Sequence, residues 1–155
     1  MKRLYKPVLS VWLILSGLVI LTELDIPVLG IILAVLEIIS GLLLGYSRRR
    51  IKMLNPVGII LLSAFLTIQG FLLILNLVSE ELLILLGFTA LVGGVCLPMK
   101  KKKAKLDQHT AVLLIALWFI LTGLILIIQI NFSGITLIMG SLSILSGVFF
   151  LVQKK

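Results

Sequence analysis

The sequence contains one cysteine, Cys96, and one histidine, His109, among 155 residues. A lone cysteine excludes an internal disulfide, a CxxC redox pair and a cysteine zinc site, and Cys96 reads as a small buried apolar residue inside a hydrophobic run. His109 has no second ligand beside it, with Asp107 two residues away. It reads as a solvated side chain at the start of a hydrophobic segment, with a pH sensor as the sharper alternative. Nothing in the chain pairs a nucleophile with a base, forms a phosphate loop or supplies a zinc or haem set, so no enzyme activity and no cofactor are expected. Short alternating strands are missing as well, which argues against a membrane β-barrel. Polar residues are too few to clothe a soluble domain, since only 13% of residues are charged against 61% hydrophobic, and the mean hydropathy is +1.29.

What is present is long apolar runs. Six of them, at 7–24, 26–46, 54–77, 82–99, 110–130 and 134–152, have 18 to 24 residues each. About 20 helical residues cross a hydrocarbon core of about 30 Å. Backbone groups in lipid must be satisfied within their own segment, so the expected fold is all-α, a polytopic bundle of six transmembrane helices forming a single domain over 1–155. The first run follows Met1-Lys2-Arg3 and has no small-x-small cleavage site before Glu23, which reads as an uncleaved signal anchor.

Charge supplies the orientation. The 14 basic residues all fall in alternate connections or at the ends: Lys2, Arg3 and Lys6; Arg48, Arg49, Arg50 and Lys52; Lys100, Lys101, Lys102, Lys103 and Lys105; Lys154 and Lys155. The other connections carry Glu23, Asp25, Glu80 and Glu81. The positive-inside rule then predicts cytoplasmic termini and cytoplasmic basic loops in a plasma or inner membrane. The net charge of +8 is first a topology signal; its expected partners are anionic lipid headgroups at Arg48, Arg49, Arg50, Lys100, Lys101 and Lys102. No folded basic domain or aromatic platform accompanies these lysines, so nucleic acid is not an expected partner.

The runs recur with a fixed period. Gly17, Gly70 and Gly123 stand 53 apart, as do Gly41, Gly94 and Gly147, with no gap needed. The same step relates Trp12, Phe65 and Trp118, then Ala34, Gly87 and Gly140, then Arg48, Lys101 and Lys154. The chain therefore reads as three tandem hairpins, approximately 1–53, 54–106 and 107–155. Two spans per copy put all copies in parallel orientation, and a pseudo-threefold bundle is the simplest closed arrangement, with a row of hairpins as the alternative. Small residues seven apart, such as Ser10 with Gly17 and Ala34 with Gly41, form seams on which helices pack closely in lipid. Gly41 and Gly45 also make a GxxxG, whose other reading is a dimer face. Outer turns are expected at 23–26, 77–81 and 131–133, with Pro27 and Ser133 at helix starts and Ser79 as an N-cap. Tyr5 and Tyr46 are placed at the inner interface, and Trp12 and Trp118 read as packing groups.

Glu37 is the one ionisable residue deep in a run. Ser16, Gln69 and Thr122, related by the 53-residue step, fall at similar depth, and Ser143 is the counterpart of Glu37. These five form a candidate midplane polar layer. Burial without a nearby cation favours the neutral acid, so Glu37 is expected to donate to Gln69 or to a hydroxyl. An intramembrane carboxyl is a functional-site hypothesis, for proton or cation handling; the structural alternative is hydrogen bonding within the bundle, and contact with a partner's helix is a third.

Taken together, Trp12 with Gly17 and Ala34 with Ser40-Gly41, Phe65 with Gly70 and Gly87 with Gly93-Gly94, and Trp118 with Gly123 and Gly140 with Ser146-Gly147 make a pattern. It resembles the short-repeat membrane proteins of the HdeD-type acid-resistance family, whose outer-turn proline occurs here only as Pro27. The resemblance implies a bacterial inner-membrane protein tied to stress or acid tolerance, with no catalytic residues to carry over. The sequence thus predicts a non-enzymatic multi-pass membrane protein. Its alternatives are an accessory subunit of a larger membrane complex, or a small channel or proton pathway through Glu37; a homo-oligomer is also compatible.

Overall fold

The computed structural model describes residues 5–22, 26–47, 54–77, 79–98, 106–129 and 133–152. These form six α-helices: α1 Tyr5–Thr22, α2 Pro27–Ser47, α3 Pro56–Leu75, α4 Glu80–Cys96, α5 Leu106–Ile128 and α6 Ser133–Val152. Five of them are long and apolar enough to cross a membrane, and α4, with 17 residues, is the shortest. Their outward faces are apolar, with Val28, Leu42, Leu85, Leu137 and Leu151 all more than half exposed. Water would not tolerate such a surface over a whole molecule, whereas lipid does.

Local chemistry places the helix ends. Pro27 and Pro56 open α2 and α3, where a missing N–H costs nothing. Ser79 caps α4, its Oγ accepting from the Leu82 N–H at 3.4 Å, and Glu80 and Glu81 occupy the first turn, where the helix dipole favours acid. Asn55 caps α3 by accepting from the Val57 N–H at 3.1 Å, so that helix begins at Pro56 rather than at the expected 54. Asn76, at φ 52°, ends α3 in the left-handed conformation, and its N–H reaches the carbonyls of Leu72 and Leu73. Gln129, 53 residues on, has φ 53°. The expected span at 82–99 is corrected to Glu80–Cys96: the Ser79 cap starts the helix earlier, and Leu97 and Pro98 form a turn where hydropathy alone would continue it. Helices α1, α3 and α5 end at 22, 75 and 128, and α2, α4 and α6 begin at 27, 80 and 133, each set in steps of 53.

Consecutive helices pack against each other, and α1 also packs against α6, closing the set into a ring. The row of hairpins is thereby excluded. The closest approaches are at α2 with α3, α4 with α5 and α6 with α1, which join one predicted hairpin to the next rather than the two helices of one hairpin. Glycines make this possible. A methyl group placed on Gly17 would lie 2.7 Å from the Gly140 carbonyl oxygen, one on Gly70 would lie 2.8 Å from that of Ala34, and one on Gly123 would lie 2.6 Å from that of Gly87. At the other end of the same seams, methyls on Gly41, Gly94 and Gly147 would lie 2.9 Å from the carbonyl oxygens of Ser63, Ala116 and Ser10. The glycine columns therefore face neighbouring helices, not lipid. Gly41 of the GxxxG is used in this way inside the bundle, against Ser63 and Thr67.

The middle of the ring is filled by rings. Trp12 on α1 meets Trp118 on α5 edge to face at 5.5 Å, Trp118 meets Phe119 at 5.0 Å, and Phe119 meets Phe65 on α3 at 5.7 Å. These large side chains join α1, α3 and α5, while α2, α4 and α6 bring small residues to the seams. Trp12 and Trp118 are thus packing groups, as their apolar setting suggested.

Candidate functional site

The five residues of the predicted polar layer do not form one network. Ser16 and Ser143 meet across α1 and α6, with their hydroxyl oxygens 3.1 Å apart. Both donate to the Leu13 carbonyl oxygen, Ser143 at 2.7 Å and Ser16 at 3.0 Å. This is a compact interhelical clasp with its polar groups satisfied. Thr122 is turned back to its own helix and donates to the Trp118 carbonyl at 2.8 Å.

Glu37 lies on α2 at 3% exposure, and its Oε1 has no hydrogen-bond partner among the described residues. Gln69 lies on α3, which packs against α2, and its buried Oε1 is also without a partner. The expected donation from Glu37 to Gln69 or to a hydroxyl is therefore absent among the described residues. By the 53-residue step Glu37 and Gln69 correspond to Ser143 and Ser16, so the longer pair occupies the α2–α3 seam where the serine pair clasps α6 to α1. Two serines reach one shared carbonyl with a single rotatable bond each. A glutamate and a glutamine need several torsions to match, and here they leave oxygens over.

Burial also leaves Ser10 Oγ, Ser40 Oγ and Trp118 Nε1 without hydrogen-bond partners among the described residues. Ser40 stands three residues from Glu37, one helical turn along the same face. Of these three, only Ser40 carries a signal in the sequence, since it shares the helix face of Glu37. Among the described residues no cluster of three or more metal-ligating side chains occurs. Cys96 is free and half-buried rather than fully buried. Lys6 is placed 5.8 Å from the centroid of the Phe150 ring, Tyr5 packs on the same ring at 6.4 Å, and Tyr46 is 75% exposed. Arg48, Arg49, Arg50, Lys100, Lys101 and Lys102 lie outside the described residues, as do the side chains of Asp107 and His109.

Comparison with models of known protein families, with curated proteins and with solved structures finds no match to this chain.

Proposed function

We propose that the chain is a non-enzymatic, multi-pass membrane protein made of three tandem copies of one helical hairpin, related by a pseudo-threefold axis along the membrane normal. The observation that carries this reading is the cyclic order of the seams. Gly17, Gly70 and Gly123 pack on Gly140, Ala34 and Gly87, and both sets advance in steps of 53 residues around a closed ring. Parallel copies of this kind do not rock about a midplane site as inverted repeats do. An aromatic plug of Trp12, Phe65, Trp118 and Phe119 occupies the centre, where an open pore would need a lumen.

The role that fits such a closed bundle is structural or protective, in keeping with the acid- and stress-tolerance function that the HdeD-type resemblance implies. Both termini and the basic loops are cytoplasmic in this reading, with anionic headgroups at the lysines and arginines. Reporters fused after Lys155 should be active inside the cell and reporters inserted at 23–25 outside it. Native mass spectrometry of gently extracted protein separates a lone bundle from a homo-oligomer or an accessory subunit, and cells without the gene should survive acid challenge less well than their parent. Unchanged survival would remove the tolerance role and leave the membrane architecture standing.

A second reading is supported by the unpartnered Oε1 of Glu37. A buried carboxyl costs stability, and a cost that no hydrogen bond offsets points to use in proton or cation handling. Proteoliposomes carrying the wild-type chain should then pass protons and the Glu37→Gln variant should not. Absence of flux in both forms would dispose of this reading.

A further inference from the structure

Polar groups at corresponding places are bonded between α6 and α1 but not between α2 and α3. At α6 and α1, Ser16 donates to the Leu13 carbonyl at 3.0 Å, Ser143 meets Ser16 at 3.1 Å, and Ser146 donates to the Ser143 carbonyl at 2.9 Å. The 53-residue step puts Gln69, Glu37 and Ser40 at the places of Ser16, Ser143 and Ser146. There Gln69 Oε1, Glu37 Oε1 and Ser40 Oγ are buried without a hydrogen-bond partner among the described residues, and Ser40, unlike Ser146, does not bond back to its own helix. Glu37 is 3% exposed and Ser40 1%. The third seam has Ala90 and Thr122 at the places of Glu37 and Gln69, and its one hydroxyl donates to its own helix. Close packing holds Glu37 and Gln69 to one stretch of seam. A methyl on Gly70 would lie 2.8 Å from the Ala34 carbonyl oxygen, and one on Gly41 would lie 2.9 Å from the Thr67 backbone nitrogen. Glu37 stands between Ala34 and Gly41 on α2, and Gln69 between Thr67 and Gly70 on α3.

All three unbonded atoms are oxygens, and oxygens gathered about one carboxylate are a donor set for a hard cation. No histidine, cysteine or second acid joins the set among the described residues, which suits an alkali ion rather than a transition metal. Charge fixes the valence. Helices α1 and α3, which pack on α2, bring only Tyr5 and Lys6 as titratable groups among their described residues, and both lie at the start of α1 against Phe150. Tyr46, on α2 itself, is nine residues from Glu37 and exposed. One carboxylate balances one positive charge, and a second charge would go uncompensated in a low-dielectric interior. We infer that Glu37, Gln69 and Ser40 form a binding site for a monovalent metal cation of the size of sodium, held between α2 and α3. Helices too close for a methyl group favour the smaller alkali ions. The inference rests on the second reading above, that Glu37 handles a proton or a cation, and names the cation. A proton on the carboxylate excludes the ion, so binding weakens as pH falls.

The test uses the full chain in mild detergent, with thermal unfolding followed in choline chloride, sodium chloride and potassium chloride at equal ionic strength. Sodium should raise the wild-type unfolding temperature by about 3–5 °C at about ten times its dissociation constant, potassium should raise it less, and the rise should shrink in acid buffer. Glu37→Gln, which keeps the shape without the charge, should remove the sodium effect. Gln69→Leu and Ser40→Ala should each raise the half-saturating sodium concentration about tenfold. Ser146→Ala, at the bonded counterpart of Ser40, should respond to sodium as the wild type does. The gain in stability of Glu37→Leu over the wild type should be larger in choline than in sodium, which burial of the carboxyl alone would not produce. Equal wild-type unfolding temperatures in choline, sodium and potassium would overturn the site. So would a sodium effect that survives in Glu37→Gln, or a larger effect of calcium chloride that Glu37→Gln removes. Proton flux in proteoliposomes keeps the two levels apart: flux that Glu37→Gln abolishes, with no sodium effect in the wild type, would overturn the ion site and leave the second reading standing, while a sodium effect lost in Glu37→Gln upholds the site whatever the proton flux.

Discussion

Gly17 and Gly30 are the same residue in opposite settings, and the difference sets two expected outcomes. A methyl on Gly30 meets nothing within 4 Å, whereas one on Gly17 would press on the Gly140 carbonyl oxygen at 2.7 Å. Gly30→Ala should leave stability unchanged or raise it by about 0.5–1 kcal/mol, the usual helix preference for Ala over Gly. Gly17→Ala should cost about 1–3 kcal/mol, because backbone must move to admit the methyl. Thermal unfolding in detergent micelles measures both. Glu37 is the other residue of consequence. Removing a buried carboxyl whose Oε1 has no partner should stabilise the bundle, by about 1–3 kcal/mol for Glu37→Leu. A loss of stability instead would mean that the carboxyl is held by a partner in the bilayer. The depth of Glu37 was legible from its distance to the ends of its run. Its isolation was not, because whether Glu37 and Gln69 meet depends on how α2 and α3 are rotated about their axes, and a string of Leu and Ile constrains rotation weakly.

Among the elements, helix starts were more legible than helix ends. Pro27, Ser79 and Ser133 announced α2, α4 and α6 because proline and hydroxyl residues have specific work at a first turn. Hydropathy alone starts α3 two residues early, since Leu54 is apolar and extends the run across the Asn55 cap. The Asn55-Pro56 step was the signal that corrects it. Asn55→Ala should cost about 1 kcal/mol of stability through the lost cap, measured by the same unfolding assay. Its backbone N–H also donates to the Leu97 carbonyl at 3.3 Å, tying the start of α3 to the end of α4. That bond needs no side chain, so Asn55→Ala should shift stability without separating the two helices. The left-handed Asn76 and Gln129 were not anticipated, and only Asn belongs to the residue types that favour that conformation.

At the level of the whole molecule, the number of helices followed from the number and length of the apolar runs. Which helices pack most tightly did not follow. Periodic glycines show that seams exist, but the same columns would serve a contact of α1 with α2 or of α2 with α3, and the structure chooses the latter. Closure between α1 and α6 can be tested directly. The Ser16 and Ser143 hydroxyls are 3.1 Å apart, so Ser16→Cys with Ser143→Cys, in a Cys96→Ala background, should form a disulfide on mild oxidation. Faster migration of the oxidised monomer on a denaturing gel reports it, and cross-linked dimers in place of it would mean that α1 and α6 belong to different molecules.

The seam between α1 and α6 has a consequence for synthesis. α1 leaves the ribosome before α2 to α6 and finds its tightest partner, α6, only after the four helices between them have been threaded into the bilayer, so the face bearing Ser10 and Gly17 must wait uncovered until then. Nascent chains halted before α6 should be open circles, recognised by membrane proteases and short-lived in a pulse-chase experiment, whereas completed chains should persist.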